Sequence, residues 1–156
     1  MTPLVSDRNL FAPSTAEHSR HAAAAIPATE TPPRQVGPWR LERLVGTGGL
    51  AQVYQARHAT SPPGAAASYA VKLLRSPWDE DPRGLEILAR EVRVGRRTSS
   101  PHLVPVLAAN LDAPPYYIVM PYLDGWSLDD CIAGEQRPSL PVALWIARQV
   151  AEGLEA

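Results

Sequence analysis

Cysteine, net charge and long apolar runs are all scarce in this sequence, and each absence excludes a class of protein. Cys131 is the one cysteine among 156 residues, so no disulfide can form within the chain and a reducing, cytoplasmic setting is expected. The formal net charge of -1 gives no reason to expect a nucleic acid or an anionic membrane as a partner. No apolar run approaches the length of a membrane span, and the first residues lack a signal-peptide core. We therefore expect a cytoplasmic protein with no membrane segment in this chain.

Metal-ligand spacing is absent as well. The 4 histidines do not have the spacing of metal ligands; they are His18, His21, His58 and His102. Structural and catalytic metal sites need three or four ligands at characteristic spacing. The sequence therefore predicts no metal site.

Proline, in contrast, is abundant. The chain has 17 prolines, about twice the usual share, and many of them lie in residues 1–38 with an alanine run and scattered Ser and Thr. That segment has too few large apolar residues to fold, so we expect residues 1–38 to be a disordered tail. The remainder has room for one modest core.

A glycine-rich turn followed by a lone lysine is the feature that indicates chemistry. Gly46, Thr47, Gly48 and Gly49 form the turn, and Lys72 lies in a β-prone run over twenty residues later. Glycines let backbone N–H groups approach phosphate oxygens with no Cβ in the way. A lysine below the turn can neutralise those oxygens as a point charge. The combination predicts a nucleotide site.

The same glycines also fit a second nucleotide motif. Gly46, Gly48 and Ala51 match the dinucleotide fingerprint G-x-G-x-x-G/A, which requires a helix directly after the turn. The segment 52–57 is short and β-prone, and residues 61–64 contain two prolines and a glycine. They leave no room for a crossover helix. We therefore predict a strand on each side of the turn and disfavour the dinucleotide alternative.

From residue 39 to residue 156 the chain resembles the eukaryotic-type serine/threonine protein kinases of bacteria. Gly46, Gly48 and Val53 match the loop G-x-G-x-x-G-x-V of that family, with Ala51 in place of the third glycine. The replacement adds one methyl group, so a slightly stiffer loop with retained nucleotide binding is expected.

A second match to the family is the strand motif A-x-K, at Ala70 and Lys72. The resemblance implies that Lys72 contacts the α- and β-phosphates of ATP, and that Val53 and Ala70 pack against the adenine. It also implies magnesium as a cofactor and a protein as the second substrate.

A helix is predicted after this strand. Asp81 is a suitable N-cap and Pro82 suits the first helical position. Leu85, Leu88 and Val92 then recur at helical spacing.

Glu91 lies at the edge of the apolar stripe of this helix, on a face shared with Ile87 and Val94. A carboxylate there needs a partner, and Lys72 is the candidate. In the family such a lysine–glutamate pair marks the active arrangement. Two alternatives stay open. Glu86 could be the partner of Lys72 instead, or Glu91 could be a solvent-exposed acid with no special role.

The resemblance extends to a hinge. Residues 116–120 form a β-prone run, in which Met120 matches the gatekeeper of the adenine pocket. Pro121 would offer its carbonyl to the adenine amino group, and Leu123 its backbone N–H to the ring. Ser127 would reach a ribose hydroxyl.

The family's catalytic motifs are missing from these residues. Neither His-Arg-Asp nor Asp-Phe-Gly occurs in the sequence, so the general base and the magnesium ligands are expected elsewhere. The chain as given is predicted to be truncated before the catalytic loop and inactive on its own.

The predicted fold class is α+β, a kinase-like small lobe of twisted antiparallel sheet plus one helix, followed by a hinge and a partial helical lobe. The predicted segments are a tail at 1–38, the small lobe at 39–120, the hinge at 121–126 and the start of the large lobe at 127–156.

One departure from the family keeps other functions open. Gly95 stands where the family usually has a bulky apolar residue of its core spine, and Val106 matches the next spine position. Glycine there is expected to remove packing and loosen the helix. Alternatives to a protein kinase are therefore a non-catalytic, kinase-like interaction module and a small-molecule phosphotransferase of the same fold.

The last predicted helix begins after Ser139 and carries an apolar stripe. The stripe consists of Leu140, Leu144, Ala147, Val150 and Leu154. We expect it to lack a burial site within this chain, and the helix to be mobile or to favour self-association.

Overall fold

Six strands and three helices make up the part of the chain that the computed structural model describes, residues 34–134 and 137–156. In chain order they are β1 (Gln35–Val36), β2 (Trp39–Thr47), β3 (Ala51–His58), β4 (Tyr69–Leu74), α1 (Pro82–Arg97), β5 (Ala108–Asn110), β6 (Tyr117–Pro121), α2 (Leu128–Ala133) and α3 (Leu140–Leu154).

The strands form one antiparallel sheet in the order β1-β2-β3-β4-β6-β5. The β2–β3 hairpin contains the glycine-rich turn, and a strand rather than a helix follows that turn. The dinucleotide alternative is therefore excluded, because its pyrophosphate site needs a helix N-terminus at this position. The predicted α+β class, an antiparallel sheet with one packed helix followed by further helices, is confirmed.

The sheet begins earlier than the sequence predicted. Most of the expected tail, residues 1–33, lies outside the described residues. Its last part, however, contains β1, and Val36 is fully buried in the sheet core. Gly37 makes the tight connection to β2 with φ of 52°, and a Cβ there would overlap the Tyr117 hydroxyl. A single buried valine and a glycine turn thus suffice to add an edge strand within residues 34–38.

Apolar residues fill both faces of the sheet. On one face lies a cluster of buried residues that includes none from α1; its members are Val36, Trp39, Tyr54, Ala56, Val71, Leu73, Tyr117 and Val119. On the other face α1 packs, with Leu74, Leu88, Val92 and Ile118 buried. Successive side chains of a strand point to opposite faces, so Ala70, Lys72 and Leu74 of β4 share the α1 face.

Helix α1 begins as predicted. Asp81 is the N-cap, its carboxylate accepts a hydrogen bond from the Arg83 backbone N–H at 2.9 Å, and Pro82 is the first helical residue. Leu88 and Val92 face the sheet and are buried. Gly84 was not predicted to matter, yet it is buried against Trp78, whose carbonyl oxygen would overlap a Cβ at that position.

Helices α2 and α3 bury little. Ser139 is the N-cap of α3 as expected, although its side chain makes no capping hydrogen bond. Only Gly153 of α3 is buried, where it lies against His102 and Leu103. The expected apolar stripe is exposed, from Leu140 at 72% to Leu154 at 82%.

Candidate nucleotide-binding site

The glycine-rich turn is open on its outer side. Its backbone N–H at Gly48 donates to the Ala51 carbonyl at 2.8 Å, which closes the turn. A Cβ at Gly46 or Gly49 would meet no atom within 4 Å, and at Gly48 only the Ala51 carbonyl oxygen, at 3.5 Å. None of the three has a left-handed φ. Neither backbone strain nor crowding within the protein therefore requires glycine here, whereas close approach of a ligand to the backbone would favour it.

A row of paired residues leads from the turn to the lysine. Gly46 pairs with Val53 across β2–β3, and Val53 pairs with Lys72 across β3–β4. With about 4.8 Å between neighbouring strands, Gly46 and Lys72 are about 10 Å apart. Val53, Lys72 and the nearby Ala70 lie on one face of the sheet, opposite the buried cluster around Val71.

Lys72 pairs with Glu91, the predicted partner. Its Nζ lies 2.8 Å from Oε1 and 2.6 Å from Oε2 of that carboxylate. The alternative, Glu86, is exposed on another face of α1. The pair stays accessible, since the side chains of Lys72 and Glu91 are 26% and 39% exposed.

The energetics of this pair argue for positioning rather than stability. A partly exposed ion pair stabilises a fold by about 0–1 kcal/mol. Glu91 nevertheless holds the ammonium group between α1 and β4, on the same sheet face as the turn. A lysine fixed in this way presents a cation at a defined place, which suits a phosphate oxygen.

The segment after β6 forms the other side of the site. Met120 and Pro121 end β6, where Met120 pairs with Ala70 in the neighbouring strand. Leu123 is exposed, and within the described residues its backbone N–H donates to no acceptor. The Ser127 hydroxyl caps α2, where it accepts from the Asp130 N–H at 3.0 Å and also contacts the Asp130 carboxylate.

A cavity of about 480 Å³ lies behind Glu91. It is bounded by Ile87, Arg90, Glu91, Val94, Gly95, Thr98, Leu103, Val104, Val106 and Met120. At its wall, the Val106 Cγ2 methyl lies 2.6 Å from where a Gly95 Cβ would be. Val106 therefore occupies the position that a larger side chain at residue 95 would need.

The polar groups of the site suit an anion. Within residues 34–134 and 137–156, no three His, Cys, Asp or Glu side chains come together as metal ligands. What the site offers is an ammonium group and open backbone donors, a donor set that fits phosphate.

Sequence reasoning missed three polar residues beside the site. Arg43, Gln55 and Tyr122 are joined by hydrogen bonds across the sheet. They belong to no motif, and their contact joins residues 79 positions apart, so no local signal could have indicated it.

Comparison with known proteins is consistent with this geometry. Residues 39–156 match the family described as protein tyrosine and serine/threonine kinase. The fold and the lysine–glutamate pair define a kinase-type small lobe. The chain belongs to the protein kinase family.

Its relatives include serine/threonine kinases of mycobacteria. The chain is 32% identical over 120 residues to the serine/threonine-protein kinase PknH of Mycobacterium tuberculosis, an alignment that covers 77% of this chain and 18% of PknH. PknE of the same species is 31% identical over 122 residues, with 78% and 21% covered. The crystal structure of a double mutant of the Mycobacterium tuberculosis PknI kinase domain matches with a TM-score of 0.58 at 26% identity, covering 78% of this chain and 48% of that domain.

The chain thus spans about a fifth of the length of the curated relatives it matches, 18% of PknH and 21% of PknE. Among the helices of the described residues, none combines the length and apolar character needed to cross a bilayer.

Proposed function

We propose that this chain is the ATP-binding portion of a serine/threonine protein kinase. One observation carries the proposal: Lys72, paired with Glu91 at 2.6 Å, lies on the same sheet face as an open glycine turn. Such an arrangement neutralises and orients phosphate oxygens, which is the main protein contribution to phosphoryl transfer. The named activity of PknH and PknE supports the choice of a protein as phosphate acceptor.

Each proposed contact follows from a position in the site. The backbone N–H groups of residues 46–49 would cover the phosphates, and Lys72 would contact the α- and β-phosphates. Val53 and Ala70 would pack on the adenine from the sheet, with Met120 at the back of the pocket.

On the side after β6, the Pro121 carbonyl would accept from the adenine amino group, and the Leu123 N–H would donate to the ring. Ser127 would accept from a ribose hydroxyl through its second lone pair, whereas donating to the ribose would cost its hydrogen bond to the Asp130 carboxylate. Because the sequence contains neither His-Arg-Asp nor Asp-Phe-Gly, we expect ATP binding from these 156 residues without phosphate transfer.

The test uses the fact that Lys72 is the sole lysine of the chain. An adenosine nucleotide analogue that carries an amine-reactive group should modify Lys72, and excess magnesium-ATP should protect it. The only other primary amine is the α-amino group, which provides an internal control. Modification of the α-amino group alone, or labelling of Lys72 that ATP does not reduce, would contradict the proposal.

Calorimetry completes the test. Lys72→Met should weaken magnesium-ATP binding by about tenfold or more, since a hydrogen bond to a charged group contributes about 1.5–3 kcal/mol. Glu91→Gln should weaken it less, because the lysine charge remains. Arg93→Met removes an exposed cation from α1 and should leave the affinity unchanged. Equal affinities for the first variant and the native chain would overturn the role of Lys72.

A further inference from the structure

Arg43 connects three elements of the sheet through side-chain hydrogen bonds. Its Nη2 donates to the Tyr122 hydroxyl at 2.9 Å and to Gln55 Oε1 at 3.2 Å. Gln55 in turn donates from Nε2 to the Ala67 carbonyl at 3.0 Å. The Tyr122 backbone N–H donates to the Ser68 carbonyl at 2.9 Å, so this tyrosine is held at both ends.

These contacts span an unusual distance within the sheet. Arg43 is on β2, Tyr122 directly follows β6, and β3 and β4 lie between those two strands. Three interstrand spacings of about 4.8 Å separate the strands by about 14 Å. Two long side chains can meet over that distance only by extending across the sheet face towards each other. The curl of the sheet brings them within reach.

The bridge borders the site on the sheet face that carries Lys72. Arg43 pairs with Gln55, Gln55 with Ala70, and Ala70 with Met120 in one row across four strands. Directly paired residues point to the same face. The neighbouring row contains Gly46, Val53 and Lys72. Because Gly46 and Lys72 are proposed to lie at the phosphates, this row is called the phosphate end of the site. The Arg43 row therefore belongs to the end where the base would lie.

We propose that Arg43, Gln55 and Tyr122 form a polar bridge that sets the width of the base-binding slot. The bridge fixes the spacing between the strand that enters the glycine turn and the segment that follows Pro121. These three are positioning residues, and Ala70, the partner of Gln55 in β4, adds only a methyl group on the face where an adenine ring would lie. The inference rests on the proposed ATP site and deepens it, because it assigns residues that hold the two walls of the slot apart.

The bridge and the phosphate end should respond differently to ligands. Tyr122→Phe removes one hydroxyl, and Arg43→Met removes the donor while keeping an unbranched side chain. Each should raise the dissociation constants of adenosine and of ATP by the same factor, about threefold to fivefold. Lys72→Met should raise that of ATP and leave that of adenosine unchanged, since adenosine has no phosphate.

Coupling and rescue separate positioning from general destabilisation. The double variant of Arg43→Met and Tyr122→Phe should bind no more weakly than the weaker single variant, because both remove one interaction. Arg43→Lys should restore part of the affinity. Arg40 is an exposed arginine of the same strand and makes none of the hydrogen bonds of the bridge, so Arg40→Met should bind like the native chain. Unchanged adenosine affinity in the bridge variants would overturn the inference.

Hydrogen exchange tests the bridge without any nucleotide. In the ligand-free chain, amides of residues 44–50 and 122–125 should exchange faster in Tyr122→Phe than in the native protein, while those of α1 should not change. If native protein binds neither ATP nor adenosine, the proposed function fails, and the exchange rates alone decide the bridge. Equal rates in the two proteins would then refute it.

Discussion

Two regions of the molecule differ in how much apolar surface they bury: the sheet together with α1, and the final helix α3. Leu88 and Val92 of α1 are buried against the sheet, next to Leu74 and Ile118. In α3 only Gly153 is buried, and Leu144 and Trp145 are each 62% exposed. The first region is stabilised by its own apolar contacts, whereas Glu152 and Gly153 of α3 contact residues 102 and 103.

The candidate nucleotide-binding site lies in the first of these two regions. The glycine turn, Lys72 and Glu91 all belong to the self-supporting region. An exposed apolar helix face of the α3 kind typically needs a partner surface to become stable. Nucleotide binding should therefore depend on the sheet and α1, and little on α3.

The largest expected effect is on the free energy of unfolding, and two matched leucine-to-alanine substitutions test it. Leu88→Ala should lower the free energy of unfolding by about 2–5 kcal/mol, because Leu88 is fully buried and a cavity would remain. Leu144→Ala, at an exposed position of α3, should change it by less than about 0.5 kcal/mol. Urea unfolding followed by tryptophan fluorescence measures both, since Trp39 is buried and Trp78 packs beside Leu88.

The comparison breaks if the two variants behave alike. A cost above about 1 kcal/mol for Leu144→Ala would mean that α3 is packed in solution on a surface that the structure does not show.

A smaller effect is expected from removing residues 127–156. The urea midpoint of the sheet should stay close to that of the whole chain, because α2 has no buried residue and α3 has one. Self-association should decrease, as measured by sedimentation velocity, because the exposed apolar stripe is gone. Leu144→Glu in the whole chain is the matched control, since it interrupts the stripe and keeps the helix. An unfolded shortened chain would show that α3 supports the sheet.

Local signals explain what the sequence could predict. The hairpin followed from β-prone residues around a glycine turn, and the start of α1 followed from Asp81 and Pro82. The Lys72–Glu91 pair was predicted from a carboxylate beside an apolar stripe together with the resemblance to protein kinases, in which such a pair recurs.

Long-range packing explains what the sequence could not. The burial of Val36 depends on aromatic residues from three other strands, and the fit of Gly84 depends on the carbonyl of Trp78. The contact of Arg43 with Tyr122 depends on the curl of the whole sheet. None of these contacts has a sequence period or motif, so each became visible only with the fold.

The smallest expected effect is the change in stability at low pH that comes from one carboxylate at α1 and one in α3. Hydrogen bonds from the Arg83 side chain, and then from its backbone, hold the pKa of Asp81 below its ordinary value of 3.8. In α3, Arg148 and then the weaker influence of His102 hold the pKa of Glu152 below 4.5. A carboxyl whose pKa is lowered by folding stabilises the folded state above its unfolded pKa. That stabilisation is lost as the pH falls through the folded pKa.

Asp81→Asn separates the charge from the cap, because asparagine caps a helix about as well as aspartate. At pH 7 the native chain should have the higher urea midpoint, and the difference should shrink as the pH falls from about 5 towards 2. Glu152→Gln should leave the midpoint of the sheet unchanged at every pH, since α3 contributes little to that transition. A difference between Asp81→Asn and the native chain that grows in acid would contradict the assigned direction of the pKa shift. A pH-dependent response of the sheet to Glu152→Gln would instead show that α3 and the sheet unfold as one unit.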